Sequence, residues 1–458
     1  MGTVIPMLNA PLILDPRAPY DIAQEFVRRN YNLGQVQTLH HHNGAFYAWT
    51  GTHYPEKDGS TLRAELYAFL NDAVRSAKVP FNPTCARVNE VLDCLKAVVH
   101  LDLSHSAPTW LCDAPFPANE ILSCKNGLLH LPSGQLLPPT PTFFAHNALN
   151  FEFDPHAPQP MNWTQFLTSL WSDDAEAIAT LQEMFGLCLT GETRYQKAFM
   201  LIGPRRSGKG TIGRVLTTLI GAENVVAPTL HSLAEPFGPA ALIGKRVACI
   251  SDARLGGQAN QDRIVERLLS ITGEDYQLID RKYKDHWKGR LPVRFVVLSN
   301  ELPKFDESSS ALAGRFIIIP LTRSFYGRED LLLFEKILTE FPGILNWSIM
   351  GWTRLSQRGY FVQPRTGIEL ANEFENLASP IIAFVKDRCV VSPERSVECK
   401  VLYDRWRGWN LSNGTSKVPP INLFSRGLRA AYPQIRVSQP RRPGSRDRVF
   451  EGIDLQPN

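Results

Sequence analysis

Apolar positions along the chain change their period from segment to segment. At 198–202 they run unbroken as "AFMLI", the pattern of a strand buried on both faces of a parallel sheet. Just downstream, Ile212, Val215, Leu216, Leu219 and Ile220 recur at helical spacing on one face. Three more apolar strands follow within "KRVACISDAR" (245–254), "VRFVVLSNELP" (293–303) and "LAGRFIIIPL" (312–321). Strands alternating with helices from Lys197 to about Leu321 predict an α/β core.

Around that core the pattern is mixed. The first hundred residues combine an aromatic, strand-like stretch ("GAFYAWTGTHY") with the amphipathic segments "LRAELYAFLNDAV" and "VNEVLDCLKAVV". A proline-punctuated, loop-rich stretch spans about Asp102 to Pro160, and "WTQFLTSLWSDDAEAIATLQEMFGLCL" is helical in pattern. Helical segments run on to about Gln357, followed by the loop "RGYFVQPRTG". In the last region "SVECKVLYDRWRGWN" and "INLFSRGLRAAY" predict helices, and "IRVSQPRRPGSRDRVFEGIDL" predicts two short strands around an arginine-rich tip. There is no internal repeat and no low-complexity tract.

Length and composition narrow the class. A chain of 458 residues predicts two to four domains, and 43% hydrophobic with 21% charged residues is a globular composition. No apolar run is long enough to span a membrane, and the N-terminus lacks a basic region followed by an apolar one. The eight cysteines form no Cys-x-x-Cys pair, so buried reduced thiols in a cytoplasmic protein are expected. Net charge is only +4, but residues 381–458 carry 14 Lys/Arg against 7 Asp/Glu. That basic end points to nucleic acid, with a solvated basic surface as the plain alternative.

The candidate chemistry begins at "GPRRSGKGT" (203–211), between the first strand and the helix that follows it. That placement suits a phosphate-binding loop, whose helix N-terminal amides face the phosphates. Gly203, Ser207 and Gly208 let the backbone wrap a phosphate, and Lys209 neutralises its β/γ oxygens. The strict pattern has Ser or Thr directly after Gly-Lys. Here Gly210 stands there and Thr211 comes one place later, reaching a metal directly or through water. Gly-Lys-Gly-Thr also occurs in nucleoside monophosphate kinases, so the loop alone does not name a reaction.

Three strand tips add to it. Asp252 is a single acid placed to orient magnesium or the attacking water. Asn300 is placed to bond the γ-phosphate or that water. Arg315 precedes the last strand, where an arginine reaches a neighbouring subunit's nucleotide. Each residue alone is an ordinary cap, turn or surface charge; their succession in order is less ordinary. Between the second and third tips, "DYQLIDRKYKDHWKGR" (275–290) predicts a β-hairpin with Arg281, Lys282, Tyr283, Lys284 and His286 at its end. Cations that track a backbone beside an aromatic that stacks on bases suit single-stranded DNA. Arg441, Arg442, Arg446 and Arg448 offer a second basic tip. "HHH" (40–42) is expected at a surface or loop, without metal, and Glu152 and Asp154 are expected to be structural.

Taken together, "GPRRSGKGT", "ACISDAR", the segment from "ERLLSITGEDY" to "VVLSNELP" and "ALAGRFIIIPLTRSFYGRED" resemble the superfamily 3 helicases. More narrowly, the chain looks like the C-terminal helicase part of the phage/plasmid primase–helicase family, related to poxvirus-type replication NTPases. The likeness runs from about Asp102 to the C-terminus. It implies an AAA+-like P-loop ATPase core with a helical or mixed N-terminal region and a C-terminal winged-helix-like domain. The implied layout is 1–100 mixed α/β, 101–195 helicase-associated and largely helical, 196–365 motor, and 366–458 basic winged-helix-like. It also implies ATP and Mg2+, with Thr211 and Asp252 at the metal, Asn300 as sensor, and Arg315 (Arg323 second) as trans-acting finger. The implied partners are single-stranded and forked DNA in the pore of a homohexamer translocating 3′ to 5′, a separate primase or initiator, and no membrane. A DNA-binding initiator or assembly ATPase without unwinding is the competing reading.

Overall fold

The computed structural model describes residues 12–76, 79–251, 261–282, 284–303, 310–412, 418–439 and 448–456. The apolar run at 198–202 forms strand β1 (Ala198–Ile202), buried along its whole length. It lies in a five-stranded sheet with β2 (Val225–Val226), β3 (Val247–Ile250), β4 (Arg294–Ser299) and β5 (Phe316–Pro320). The order across the sheet is β2-β3-β4-β1-β5, and every pairing is parallel. Alternate residues of β1 serve opposite faces, as a period of two requires. Phe199 and Leu201 pack with Ile212, Val215 and Leu219 of helix α1 (Lys209–Ile220). Met200 and Ile202 pack with Ile264, Val265 and Leu268 of helix α2 (Gln261–Thr272).

The first of these faces extends upstream. The helices Met161–Leu170 and Ala175–Leu189 contribute Trp163, Phe166, Leu181 and Phe185 to the same apolar cluster. Ala175–Leu189 crosses the helix Phe341–Arg358 at close range: a Cβ on Gly186 would lie 2.4 Å from Ser348 O, and one on Gly351 2.3 Å from Gln182 O. Glu183, only 1% exposed, is held there by Arg354 Nε at 2.7 Å and by Arg358. A buried carboxylate needs such partners. One apolar core therefore runs across position 195/196, where the family resemblance implies a domain boundary.

The N-terminal region has a core of its own. Helices Pro19–Asn30, Gly59–Asn71 and Cys85–Val98 bring together Phe26, Leu62, Leu66 and Leu95. Asp58 and Thr84 cap the second and third by accepting the amides of Thr61 and Arg87. A three-stranded sheet (Leu39–His42, Ala45–Ala48, Glu56–Lys57) lies beside them. His40 and His42 are therefore buried in a strand, not at a surface or loop. The ring of His40 sits 5.3 Å from that of Tyr54 and 5.7 Å from that of Phe144. Among the described residues no cluster of His, Cys, Asp or Glu could hold a metal.

Residues 101–150, expected to belong to a largely helical domain, form short strands instead. Ile121–Cys124, Gly127–His130 and Gln135–Leu137 make an antiparallel sheet, and Thr109–Trp110 pairs with Phe143–Phe144. The C-terminal region runs helix Pro380–Arg388, strand Cys389–Glu398, helices Cys399–Ser412 and Ile421–Ala431, then strands Arg436–Ser438 and Val449–Leu455. Phe384, Trp406, Phe424 and Phe450 form its core. The strand 389–398 was not expected. It pairs with 449–455, so a distant partner, not local periodicity, creates it. All eight cysteines are free, though Cys85 and Cys112 are exposed. Among the described residues no helix is long and apolar enough to cross a membrane.

Candidate functional site

The parallel strands β1, β3 and β4 direct their C-terminal ends to one edge of the sheet. There Gly203 N donates to Ser299 O at 3.2 Å, tying the start of the loop to the strand that precedes Asn300. On the other side Leu321 N donates to Ile202 O at 2.6 Å. Backbone crowds this point: a Cβ on Gly203 would come within 2.1 Å of Leu321 O. The loop then turns through left-handed conformations at Arg206 (φ 59°) and Gly208 (φ 94°). Phe325 N donates to Arg206 O at 2.9 Å, and Ser324 Oγ donates to Arg205 O at 2.9 Å. Backbone and side-chain contacts thus hold the loop from both sides.

Helix α1 starts at Lys209, and among the described residues no side chain caps it, which leaves its first amides to other partners. Lys209 Nζ folds back over the loop, donating to Gly203 O (2.6 Å), Pro204 O (2.8 Å) and Ser207 Oγ (3.2 Å). Desolvation draws its pKa below the usual lysine value. Three neutral oxygens thus occupy a charge that a phosphate would satisfy more strongly. Ser207 is buried within the loop.

Beside the loop lies a cavity of about 660 Å³. Its walls include Phe166, Arg206, Thr211, Arg214, Phe325 and Arg328. A volume of this order suits a nucleotide-sized ligand. Thr211 therefore lines this cavity, whereas a Cβ at Gly210 would meet nothing within 4 Å. Phe166, Arg214, Phe325 and Arg328 were missed from sequence. Arg214 was the accessible one, three residues from Thr211 on the polar face of α1. Its guanidinium stacks 4.8 Å from the Phe334 ring.

The other expected residues separate. Asn300 is exposed directly after β4, beside Gly203. β3 runs beside β4, with Ile250 opposite Val297, and so ends at the same edge; Asp252 lies outside the described residues. Arg315 stands at the opposite edge, ahead of β5, where its guanidinium donates to Gln196 Oε1 and to Thr272 O. It cannot reach the loop of its own chain. Arg323 is on the loop side, donating to Ser169 O (3.0 Å) and Ser172 Oγ (2.6 Å).

The expected hairpin is present as strands Gln277–Arg281 and Lys284–Gly289. Two of its cations and its histidine are engaged within the chain. Lys284 pairs with Glu56, and Arg281 donates to Asn43 O (3.2 Å) and Asp285 O (3.0 Å). His286 Nδ1 lies 2.6 Å from Asp280 Oδ1, and Lys282 is exposed at the turn. Asn43 Nδ2 donates to Lys288 O at 2.8 Å, so the N-terminal sheet clasps the hairpin. Tyr283, Arg441, Arg442 and Arg446 lie outside the described residues; Arg448 is exposed.

Comparison with known families adds an upstream marker. Residues 24–172 match the family described as D5 N terminal like, and residues 201–315 match a family of unknown function, DUF5906. Among solved structures, the apo form of the NrS-1 C terminal region is 12% identical, with a TM-score of 0.53 over 96% of this chain and 100% of that one. A second apo structure of that region, its A form, is 14% identical, with a TM-score of 0.50 over 96% and 99%. The chain thus carries a D5 N-terminal-like segment ahead of its parallel sheet. Its fold is similar from end to end to that of the NrS-1 region.

Proposed function

We propose that the protein is an ATP-dependent replicative DNA helicase of a phage, plasmid or integrated element. In this reading it is an AAA+-like motor of superfamily 3, working as a ring-shaped homo-oligomer, hexameric by resemblance. It moves 3′ to 5′ on single-stranded and forked DNA. The observation that carries the reading is Lys209 at the start of α1, bonded among the described residues to oxygens of its own loop. The D5 N-terminal-like match and the neighbouring Asn300 support it.

On ATP binding, Lys209 releases Gly203 O and Pro204 O and neutralises the β/γ oxygens, while the first amides of α1 bond the phosphates. The nucleoside occupies the cavity beside Phe166 and Phe325, with Thr211 facing it. Asn300 orients the attacking water. Thr211 and Asp252 are the candidate ligands that would hold Mg2+, which would supply charge neutralisation to the phosphates; Gly210 offers no hydroxyl. Arg315 acts on the next subunit's nucleotide. The helix–strand–helix–helix–strand–strand order of the C-terminal region suits a winged-helix module, for which Arg441, Arg442, Arg446 and Arg448 are the candidate phosphate contacts. A separate primase or initiator is the further partner in this reading.

The test is DNA-stimulated ATP hydrolysis and fork unwinding, both expected to disappear in Lys209→Ala. Unwinding that survives this substitution rules the reading out. A second reading, a DNA-binding initiator or assembly switch without unwinding, draws on the hairpin cations being held by the N-terminal sheet. Hydrolysis and duplex binding without strand separation would favour it.

A further inference from the structure

At the base of the hairpin, the N-terminal sheet, the segment 101–150 and the sheet's other edge enclose a second cavity of about 230 Å³. It shares no lining residue with the loop cavity. Arg246, just ahead of β3, lines it and is 7% exposed. Its backbone is fixed on both sides: its N–H donates to Asn224 O and its carbonyl accepts from Arg294 N, each at 2.8 Å.

The guanidinium of Arg246 has no compensating partner among the described residues. Burial pushes its pKa down to about 10, and the charge acting on it is that of Arg294, which repels. It therefore stays protonated at neutral pH. Arg294 on the adjacent strand is also buried, but Glu192 and Glu274 offset its charge. Among the described residues Arg246 has no such offset, and a buried charge without a counter-charge is unfavourable. Two further features surround it. Among the described residues His146 Nε2 is shielded from solvent without a partner, and its ring stacks on Tyr47 at 4.4 Å and 4°. Lys288 and Arg290 add positive charge, and Trp287 adds an aromatic wall.

We propose that this cavity binds the phosphate end of a single nucleotide, with Arg246 and His146 on the phosphate oxygens and the rings of Tyr47 and Trp287 against the sugar or base. Its volume lies below the roughly 300–1,000 Å³ of drug-sized pockets, which suits one nucleotide end and not a longer ligand. The phosphate belongs either to a free mononucleotide or to the 5′ end of a DNA strand. Because the walls come from both the N-terminal sheet and the hairpin, occupancy strengthens the clasp between them. This site goes beyond the helicase reading and stands without it.

The test uses full-length Lys209→Ala protein, which suppresses the loop site, with and without Arg246→Met. Probes are deoxyadenosine monophosphate and one oligonucleotide carrying either a 5′-phosphate or a 5′-hydroxyl. Affinity and melting temperature are measured. Expected is binding of the mononucleotide, or preference for the 5′-phosphate over the 5′-hydroxyl strand, weakened at least tenfold by Arg246→Met. Without ligand, that variant melts no lower than its parent, because it removes an uncompensated charge. A response to the mononucleotide alone, or to the strand end alone, supports the site and identifies the phosphate's source. Arg246→Lys keeps the charge but loses the forked geometry; an affinity loss of at least fivefold at unchanged melting temperature reads the site even if the methionine variant does not fold. Equal binding with and without Arg246, or no response to any probe, overturns the proposal.

Discussion

Lys284 at the end of the hairpin meets the carboxylate of Glu56, 228 residues earlier in the chain. With Arg281 on Asn43 O, this contact holds a basic hairpin against the N-terminal sheet. A hairpin so held has fewer cations to offer DNA.

Releasing it should favour DNA. Both partners of the pair are substantially exposed, so the contact contributes at most about 1 kcal/mol. Glu56→Gln should raise single-stranded DNA affinity by up to about fivefold at low salt, read by fluorescence anisotropy. Lys284→Ala should weaken binding and reduce the salt slope by about 1. Lower affinity in Glu56→Gln would remove the clasp from the DNA-binding account.

The loop glycines should respond in opposite ways. Gly203→Ala drives a methyl into Leu321 O and should destabilise the protein by about 2–4 kcal/mol in urea titration. Gly210→Ser enters open space in a helix and should leave stability within about 0.5 kcal/mol or raise it. If Gly210 weakens the metal shell, the serine variant reaches half-maximal ATPase at lower Mg2+. Marked destabilisation by Gly210→Ser would contradict the open space seen there.

Two histidines make stability depend on pH. Burial, reinforced by nearby His42 and His105, pushes His40 down to about 4. Burial, reinforced by His42, His53 and Arg246, pushes His146 down to about 3. Between those values and 6.5 the unfolded chain binds more protons than the folded one, so stability rises with pH across that window. It is complete above about 6.5 and lost on acidification, on the order of 2 kcal/mol per histidine by pH 5. The urea midpoint should fall between pH 7.5 and pH 5, and His40→Phe should flatten that slope. An unchanged midpoint in the wild-type protein would show the two rings are not buried neutral.

Arg315 and Lys209 should complement each other only between subunits. Arg315→Ala should keep nucleotide affinity within about twofold and lose ATPase by at least about 10³-fold. Mixing it with Lys209→Ala should restore part of the activity, since one interface in a mixed ring then carries both residues. No recovery at any mixing ratio would argue against a trans-acting role.

How far the sequence led depended on how local each cause was. β1, α1 and the hairpin were legible because apolar run, helical face and turn charges are properties of contiguous residues. The strand at 389–398 was not, because its pairing partner begins fifty-one residues further on, at Val449. The three histidines resembled a polar patch until alternate positions proved to face Tyr54 and Phe144. The loop cavity was half legible: Thr211 and Arg214 share a helix face, but Phe166 and Phe325 reach it from separate segments. Asp252 and three of the four C-terminal arginines lie outside the described residues.

The helix Ala175–Leu189 falls between the two family matches, which end at 172 and begin at 201, yet it is among the most deeply buried elements of the chain. Gly186 against Ser348 and Glu183 beneath Arg354 and Arg358 bind it to the helix Phe341–Arg358. A recombination junction placed in that gap, trading one relative's front half for another's, would pair a helix with a groove shaped for a different sequence. Viable chimeras must inherit 175–189 together with 341–358, as a single cassette.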